Sequence, residues 1–258
     1  MNRLKQLFGV LLAFMLFSNF TEPTVKRKSI KNAIDKPFSK FKSHIDSIYC
    51  TAGLDGYGLT RAAFEQAITG YYNMMASYNK KPGLPVLSVV DFTKKSTEKR
   101  LWVIDLAHAK LLFNTLVAHG KNTGEQFAER FSNISASNMS SLGFFRTAEI
   151  YNGKHGKSLA LDGLEKGFND HARQRSLVIH AADYVSEAFI KKAGRIGRSQ
   201  GCPAIPVSLA PGIIDAIAYG SCFFIYYPDN NYQKSSNLLN MNTAVVAFQN
   251  EQSLLGNH

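Results

Sequence analysis

The sequence predicts a mainly β domain with a few short helices, preceded by one longer N-terminal helix. Three observations predict it. Short β-branched runs separated by polar turns recur from residue 86 onward. Helical spacing is confined to a few stretches. With 258 residues, 45% hydrophobic and 12% aromatic, the chain holds enough apolar material for one substantial core. No internal repeat is evident.

At the N-terminus, "MNRLKQ" supplies two cations and "LFGVLLAFMLF" (Leu7 to Phe17) an apolar run. A bilayer span takes ~20 such residues, so residues 1–21 read as a secretory signal peptide, or a retained N-terminal anchor, rather than a buried helix. "FSNFTEP" lacks a clean small-x-small cleavage pattern, and no cysteine follows to suggest a lipoprotein. Residues 22–58 are polar and basic, with little periodicity, and are expected to be a basic linker.

The body is expected over residues 59–227. "LTRAAFEQAITGYYNMMASYNK" places Phe64, Ala67, Ile68, Tyr71, Met75 and Tyr78 at helical spacing, with Thr60 as N-cap and "KKPGLP" as the stop. The aromatic and methionine stripe reads as packing. "VLSVVDF", "RLWVIDL", "LLFNTLVAHG", "SSLGFFRTAEIYNG", "SLALDG", "SLVIH" and "SCFFIYY" follow as strands, read as antiparallel. "SEAFIKKAG" and "SLAPGIIDAIAYG" read as short helices, the second capped by Ser208 and stopped at Gly220. Residues 228–258 are expected to be a C-terminal tail in which "AVVAF" pairs at a sheet edge.

The formal charge of +11 favours an anionic partner, such as nucleic acid, anionic lipid or an acidic wall polymer. The basic residues are scattered and form no nucleic-acid reader signature, so nucleic acid is not expected. Three cysteines, Cys50, Cys202 and Cys222, leave at least one thiol unpaired. Cys222, inside "GSCFFIYY", reads as a small buried hydrophobe. With no Cys-x-x-Cys and no histidine pair one helical turn apart, no metal site is indicated.

His180 ends the strand "SLVIH", a rigid place from which to aim an imidazole, and Cys202 stands between Gly201 and Pro203 in "GRSQGCPAIP". A thiol attacks as thiolate, and a neighbouring imidazole can take its proton. The base needs an orienting bond on its other nitrogen, which the Ala181 carbonyl is placed to supply. The N–H groups of Gly201 and Cys202 are placed to face an oxyanion. One histidine and one cysteine alone fit a solvated imidazole and a core thiol as readily.

"IHAADY" and "GRSQGCPAIP" resemble the signature of the YkuD-type L,D-transpeptidases, a His-Gly followed later by Ser-x-Gly-Cys. The resemblance is nearest to a divergent murein L,D-transpeptidase branch that follows the cysteine with Pro-Ala. It extends through "RLWVIDLAHAKLLFNTLVAHGKNTG" and "YNGKHGKSLALDGLEKGFND" to "GSCFFIYY", and the helix from Thr60 also fits. It implies an antiparallel β-sandwich or barrel with a few short helices and an N-terminal helix. The implied enzyme attacks a peptidoglycan stem peptide between its third and fourth residues and passes the thioester to an amine on a neighbouring stem. Location in the periplasm or cell envelope, with the N-terminus as a tether, would follow.

Carried over, Cys202 is the nucleophile, His180 the base, Ala181 its orienting carbonyl, and Gly201 with Cys202 the oxyanion donors. Ser199 shapes the loop. Arg198, Gln200, His119 and Asp183 are expected along the substrate groove, with no metal or organic cofactor. Tyr184 is expected near His180. His155, Asp162 and Asn169 read as groove or turn residues.

Three residues depart from the family pattern. Ala181 replaces the glycine after the histidine, which matters if φ there is positive. Gln200 precedes Gly201 where histidine or tryptophan is usual. Ala204 stands where the wider family carries arginine, leaving Arg195 and Arg198 as substitutes. The Ala181 and Ala204 departures keep open a wall-binding module that has lost catalysis, and because the outcome rests on acceptor access, an L,D-carboxypeptidase or endopeptidase using the same site stays open as well. A papain-like or NlpC-like protease is disfavoured, because those place cysteine before histidine.

Overall fold

A computed structural model describes residues 24–77 and 85–255. The expected signal segment at 1–21 and the "KKPGLP" stop lie outside the described residues, apart from Pro85. The chain divides into two compact units, residues 1–36 and 37–258. The first is described only through the opening of helix α1 (Thr24–Thr51), and the second contains all that follows.

The expected basic linker is a correction. From Pro37 onward it is helical, with Phe41, Ile45, Ile48, Tyr49 and Ala52 buried. Those five fall at helical spacing, so one face is apolar; the lysines on the other face dilute the pattern. Helix α2 (Arg61–Ser77) begins as expected, with the Thr60 hydroxyl oxygen accepting from the Ala63 N–H at 3.3 Å. Phe64, Ala67, Ile68 and Tyr71 are buried. A side chain at Gly70 would put its first carbon 1.9 Å from the Phe144 ring, so glycine lets this helix lie directly on the sheet.

Eight strands form one sheet: β1 (Val86–Asp91), β2 (Leu101–Asp105), β3 (Lys110–Thr115), β4 (Gly143–Gly153), β5 (Gly156–Gly163), β6 (Val178–Ala182), β7 (Ala204–Pro206) and β8 (Cys222–Tyr226). Their order is β3-β2-β1-β8-β4-β5-β6-β7. The sheet is mixed rather than wholly antiparallel. The β1–β8 and β6–β7 pairs are parallel, and β7 was not anticipated. Parallel partners lie far apart in sequence, so local alternation does not announce them. Strand β8 is buried along its length, as its unbroken apolar run requires. Cys222 within it is fully buried.

The two sheet edges nearly meet. The chain beyond β3 returns to β7, where the Ala118 N–H donates to the Ala204 carbonyl at 2.8 Å. Gly120 also bridges Ser199. The result is a nearly closed barrel with few open edges.

Helix α3 (Glu187–Ala193) is capped by Ser186 and ends at Gly194. Helix α4 (Ala210–Ile217) starts after Leu209 and stops before Ala218, so Ser208 and Gly220 are not its caps. The expected tail is also a correction. Residues 230–255 form α5 (Asn230–Ser235), a 3₁₀ turn (Asn237–Leu239) and α6 (Met241–Leu255), so "AVVAF" is helical and not an edge strand. Ala244, Val245 and Phe248 are buried, and Phe248 packs on Phe41 with ring centroids 5.3 Å apart. The buried Glu165 carboxylate ties α5 to the barrel. It accepts from the Phe144 N–H at 2.7 Å and the Tyr232 hydroxyl at 2.8 Å, and also from Ser236. Burial raises its pKa against those bonds, which favour the ionised form.

Candidate active site

A pocket of about 710 Å³ opens at the β6–β7 end of the sheet; Cys202, His180, Ser199, Gln200, Arg198, Arg175 and Tyr184 are among the residues lining it. Parallel pairing of β6 with β7 sets His180 beside Ala204, two residues beyond Cys202. The imidazole and the thiol therefore share one pocket because two short strands run side by side.

His180 is 3% exposed, and its Nδ1 lies 2.8 Å from the Ala181 carbonyl oxygen. A carbonyl only accepts, so Nδ1 carries the proton and Nε2 keeps its lone pair. Burial lowers the His180 pKa, which keeps the ring neutral. Ala181 belongs to extended strand β6 and is not among the residues with positive φ, so its methyl group is accommodated.

Cys202 is a free, partly exposed thiol. Its Sγ donates to the Ser176 carbonyl at 3.6 Å, in a residue held at a φ of 53°. Burial raises the thiol pKa, opposed by the Val178 N–H and by the charges of Arg175 and Lys154. A raised thiol and a lowered imidazole lining one pocket both rest neutral.

The loop before Cys202 is braced by Ser199. Its hydroxyl donates to the Cys202 carbonyl at 2.6 Å and accepts from the Gly201 N–H at 3.0 Å. The Gly201 N–H is thus committed inside the loop, which corrects its expected role facing an oxyanion. The Cys202 N–H has no protein acceptor among the described residues. Gly201 has a φ of 126°, and a side chain there would meet the Met139 carbonyl oxygen at 2.7 Å. Only glycine fits.

Two expected groove residues lie elsewhere. His119 is 1% exposed; its Nδ1 accepts from Arg100 at 2.8 Å and its Nε2 donates to the Gly124 carbonyl at 3.1 Å. Desolvation, then the Arg100 charge, lowers its pKa to about 4. It is a neutral structural histidine that supports the site indirectly, since its carbonyl accepts from the Ser199 N–H at 3.0 Å. Asp183 is exposed on a separate depression with Lys99 and Val207. It sits in the turn after β6, and its carbonyl accepts from Ser186. Asn169 is fully buried and bonds the Leu142 and Phe144 carbonyls at 2.8 and 3.0 Å, so it builds a turn. Asp162 pairs with Arg173.

Sequence reasoning missed Arg175. Its guanidinium donates to the Met139 and Ser132 carbonyls at 2.6 Å each, while its charge acts on Cys202. Arg195 and Arg198 instead both pair with Glu125. Arg198 still lines the pocket, and Ala204 is fully buried. His155 also lines the pocket, its ring stacked on His180. The signal for Arg175 was weak, since it lies just before β6 with no motif around it, whereas His155 was already read as a groove or turn residue. No group of three or more His, Cys, Asp or Glu side chains among the described residues is disposed to hold a metal ion.

No curated protein matches the chain in sequence. Among solved structures, it is similar to an L,D-transpeptidase from Mycobacterium smegmatis, at 13% identity and a TM-score of 0.35, over 56% of this chain and 60% of that one. It is also similar to the helical cell shape determining protein Pgp2 from Campylobacter jejuni, at 12% identity and a TM-score of 0.38, over 68% and 62%. For an L,D-transpeptidase from Stackebrandtia nassauensis the values are 14% and 0.34, over 66% and 69%. The chain thus spans about 60% of the first of these proteins. The L,D-transpeptidase catalytic domain family matches residues 56–226, which take in all eight strands and every pocket residue named above. This chain belongs to the L,D-transpeptidase catalytic domain family.

Proposed function

We propose that the protein is a cysteine-dependent L,D-transpeptidase acting on peptidoglycan stem peptides. The single observation that carries this reading is the bond from His180 Nδ1–H to the Ala181 carbonyl, in the pocket that holds Cys202. It leaves Nε2 with its lone pair, the atom through which the ring would act as base.

The thiol turns from the Ser176 carbonyl toward His180 and gives its proton to Nε2 as sulfur attacks the donor carbonyl. The developing oxyanion is met by the Cys202 N–H, with the Arg175 charge nearby. The C–N bond breaks and His180 returns the proton to the departing D-amino acid amine, leaving a thioester. An acceptor amine then attacks, His180 takes its proton, and the new amide forms as the thiolate leaves and is reprotonated. Because both groups rest neutral, the thiolate forms during attack and is not stored beforehand.

The reading also implies an exported protein in the bacterial periplasm or envelope, with residues 1–21 as a signal peptide or an N-terminal anchor; no described helix is long and apolar enough to cross a membrane. The test is purified protein incubated with tetrapeptide muropeptides and followed by mass spectrometry beside Cys202→Ala. Cross-linked dimers made only by the unaltered chain support the proposal. Trimmed monomers indicate the carboxypeptidase reading. No product, with no carbapenem adduct on Cys202, indicates a wall-binding module.

A further inference from the structure

The β4–β5 hairpin ends in the register pair Gly153 and Gly156, leaving Lys154 and His155 as a two-residue turn. Gly156 has a φ of 75°, which suits so tight a reversal. The turn carries the His155 ring over His180, with centroids 4.2 Å apart and planes at 18°. The strand beneath is fixed as well: Ser158, three residues on, is buried and pairs with His180 in the sheet register.

Among the described residues His180 has one ring hydrogen bond, to Ala181. A single bond leaves an imidazole free to tilt about it, and a tilt of that kind carries Nε2 away from the thiol. A second ring laid parallel on its face removes this freedom. We propose that His155 is a positioning residue that clamps the His180 ring by stacking from the hairpin tip. The inference rests on the Cys202–His180 reading above.

The charged and titratable groups lining the pocket around His180 come from four places. Tyr151, Lys154 and His155 belong to the hairpin, Arg175 precedes β6, Tyr184 follows it, and Arg198 and Cys202 lie on the loop before β7. None is a carboxylate. A proton on His180 therefore meets only cationic or neutral neighbours in the pocket, which keeps Nε2 available.

The test uses the full chain with ¹⁵N-labelled histidine. Ring resonances of His180 are titrated by NMR, and alkylation of Cys202 by iodoacetamide is timed against pH, in His155→Ala and His155→Phe. With Ala, the His180 Nδ1–H signal broadens or vanishes and alkylation slows roughly tenfold, as for a small misplacement of a reacting group. With Phe, the signal returns and the rate recovers to within about twofold of the original. Unchanged signal and rate in the Ala variant overturn the proposal, as does failure of Phe to rescue a protein with an unaltered melting temperature. His180→Ala separates the two readings. If it leaves alkylation untouched, the Cys–His pair itself fails, while the His180 ring signal still decides the stacking.

Discussion

Acidification from pH 7 to 4.5 should destabilise the protein through His119 in particular. This ring is buried with its Nδ1 facing the Arg100 guanidinium at 2.8 Å, so a proton on it has nowhere to go without evicting an arginine. Its pKa falls from 6.5 to about 4 in the folded chain. Between those values the unfolded chain binds a proton that the folded chain refuses. Stability is therefore complete above pH 6.5 and is lost as pH falls through about 4. At about 1.36 kcal/mol per pH unit, the full effect is about 3 kcal/mol, of which about 2.5 kcal/mol is spent by pH 4.5. His119→Gln keeps an oxygen for Arg100 and an amide donor for Gly124 but does not titrate. Urea unfolding of both chains at the two pH values isolates the histidine, since every other group is shared. The original chain should lose about 2.5 kcal/mol more than the variant. Equal losses in both would refute the argument that His119 is held neutral in the fold.

Three further outcomes follow from the same geometry. Ser199→Ala removes both bonds that brace the loop before Cys202 and leaves the buried Gly201 N–H unpaired, so chemical denaturation should show a loss of about 2 kcal/mol together with slower Cys202 alkylation. Gly70→Ala drives a methyl group into the Phe144 ring, and its thermal melt should report about 1–3 kcal/mol of destabilisation with the pocket chemistry intact. Because burial lowers the His180 pKa, activity in the muropeptide assay should persist below pH 6.5 and decline only as that ring becomes protonated; an acid limb centred at or above 6.5 would contradict this.

Much of the site was legible because its parts are local. The Nδ1 bond from His180 reaches the very next residue, and Ser199, Gly201 and Cys202 lie within one loop, so chain order already places them together. The strands were legible for the same reason, as apolar runs cut by turn residues. The helix from Pro37 and the helices after Tyr227 were not. Phe41 and Phe248 become core only by meeting each other, and an amphipathic segment rich in lysine looks like a linker until its partner is known.

By itself, then, the sequence determined the family and the strand-rich body, and it put forward one thiol and one imidazole as the candidate pair. Tertiary structure alone decided which neighbours serve them. It turned His119 inward onto Arg100, spent the Gly201 N–H on Ser199, brought in Arg175 and stacked His155 on His180. Those outcomes depend on parallel strand pairing, near-closure of the barrel and burial. All three are set by contacts between residues distant in the chain, and no local pattern encodes them.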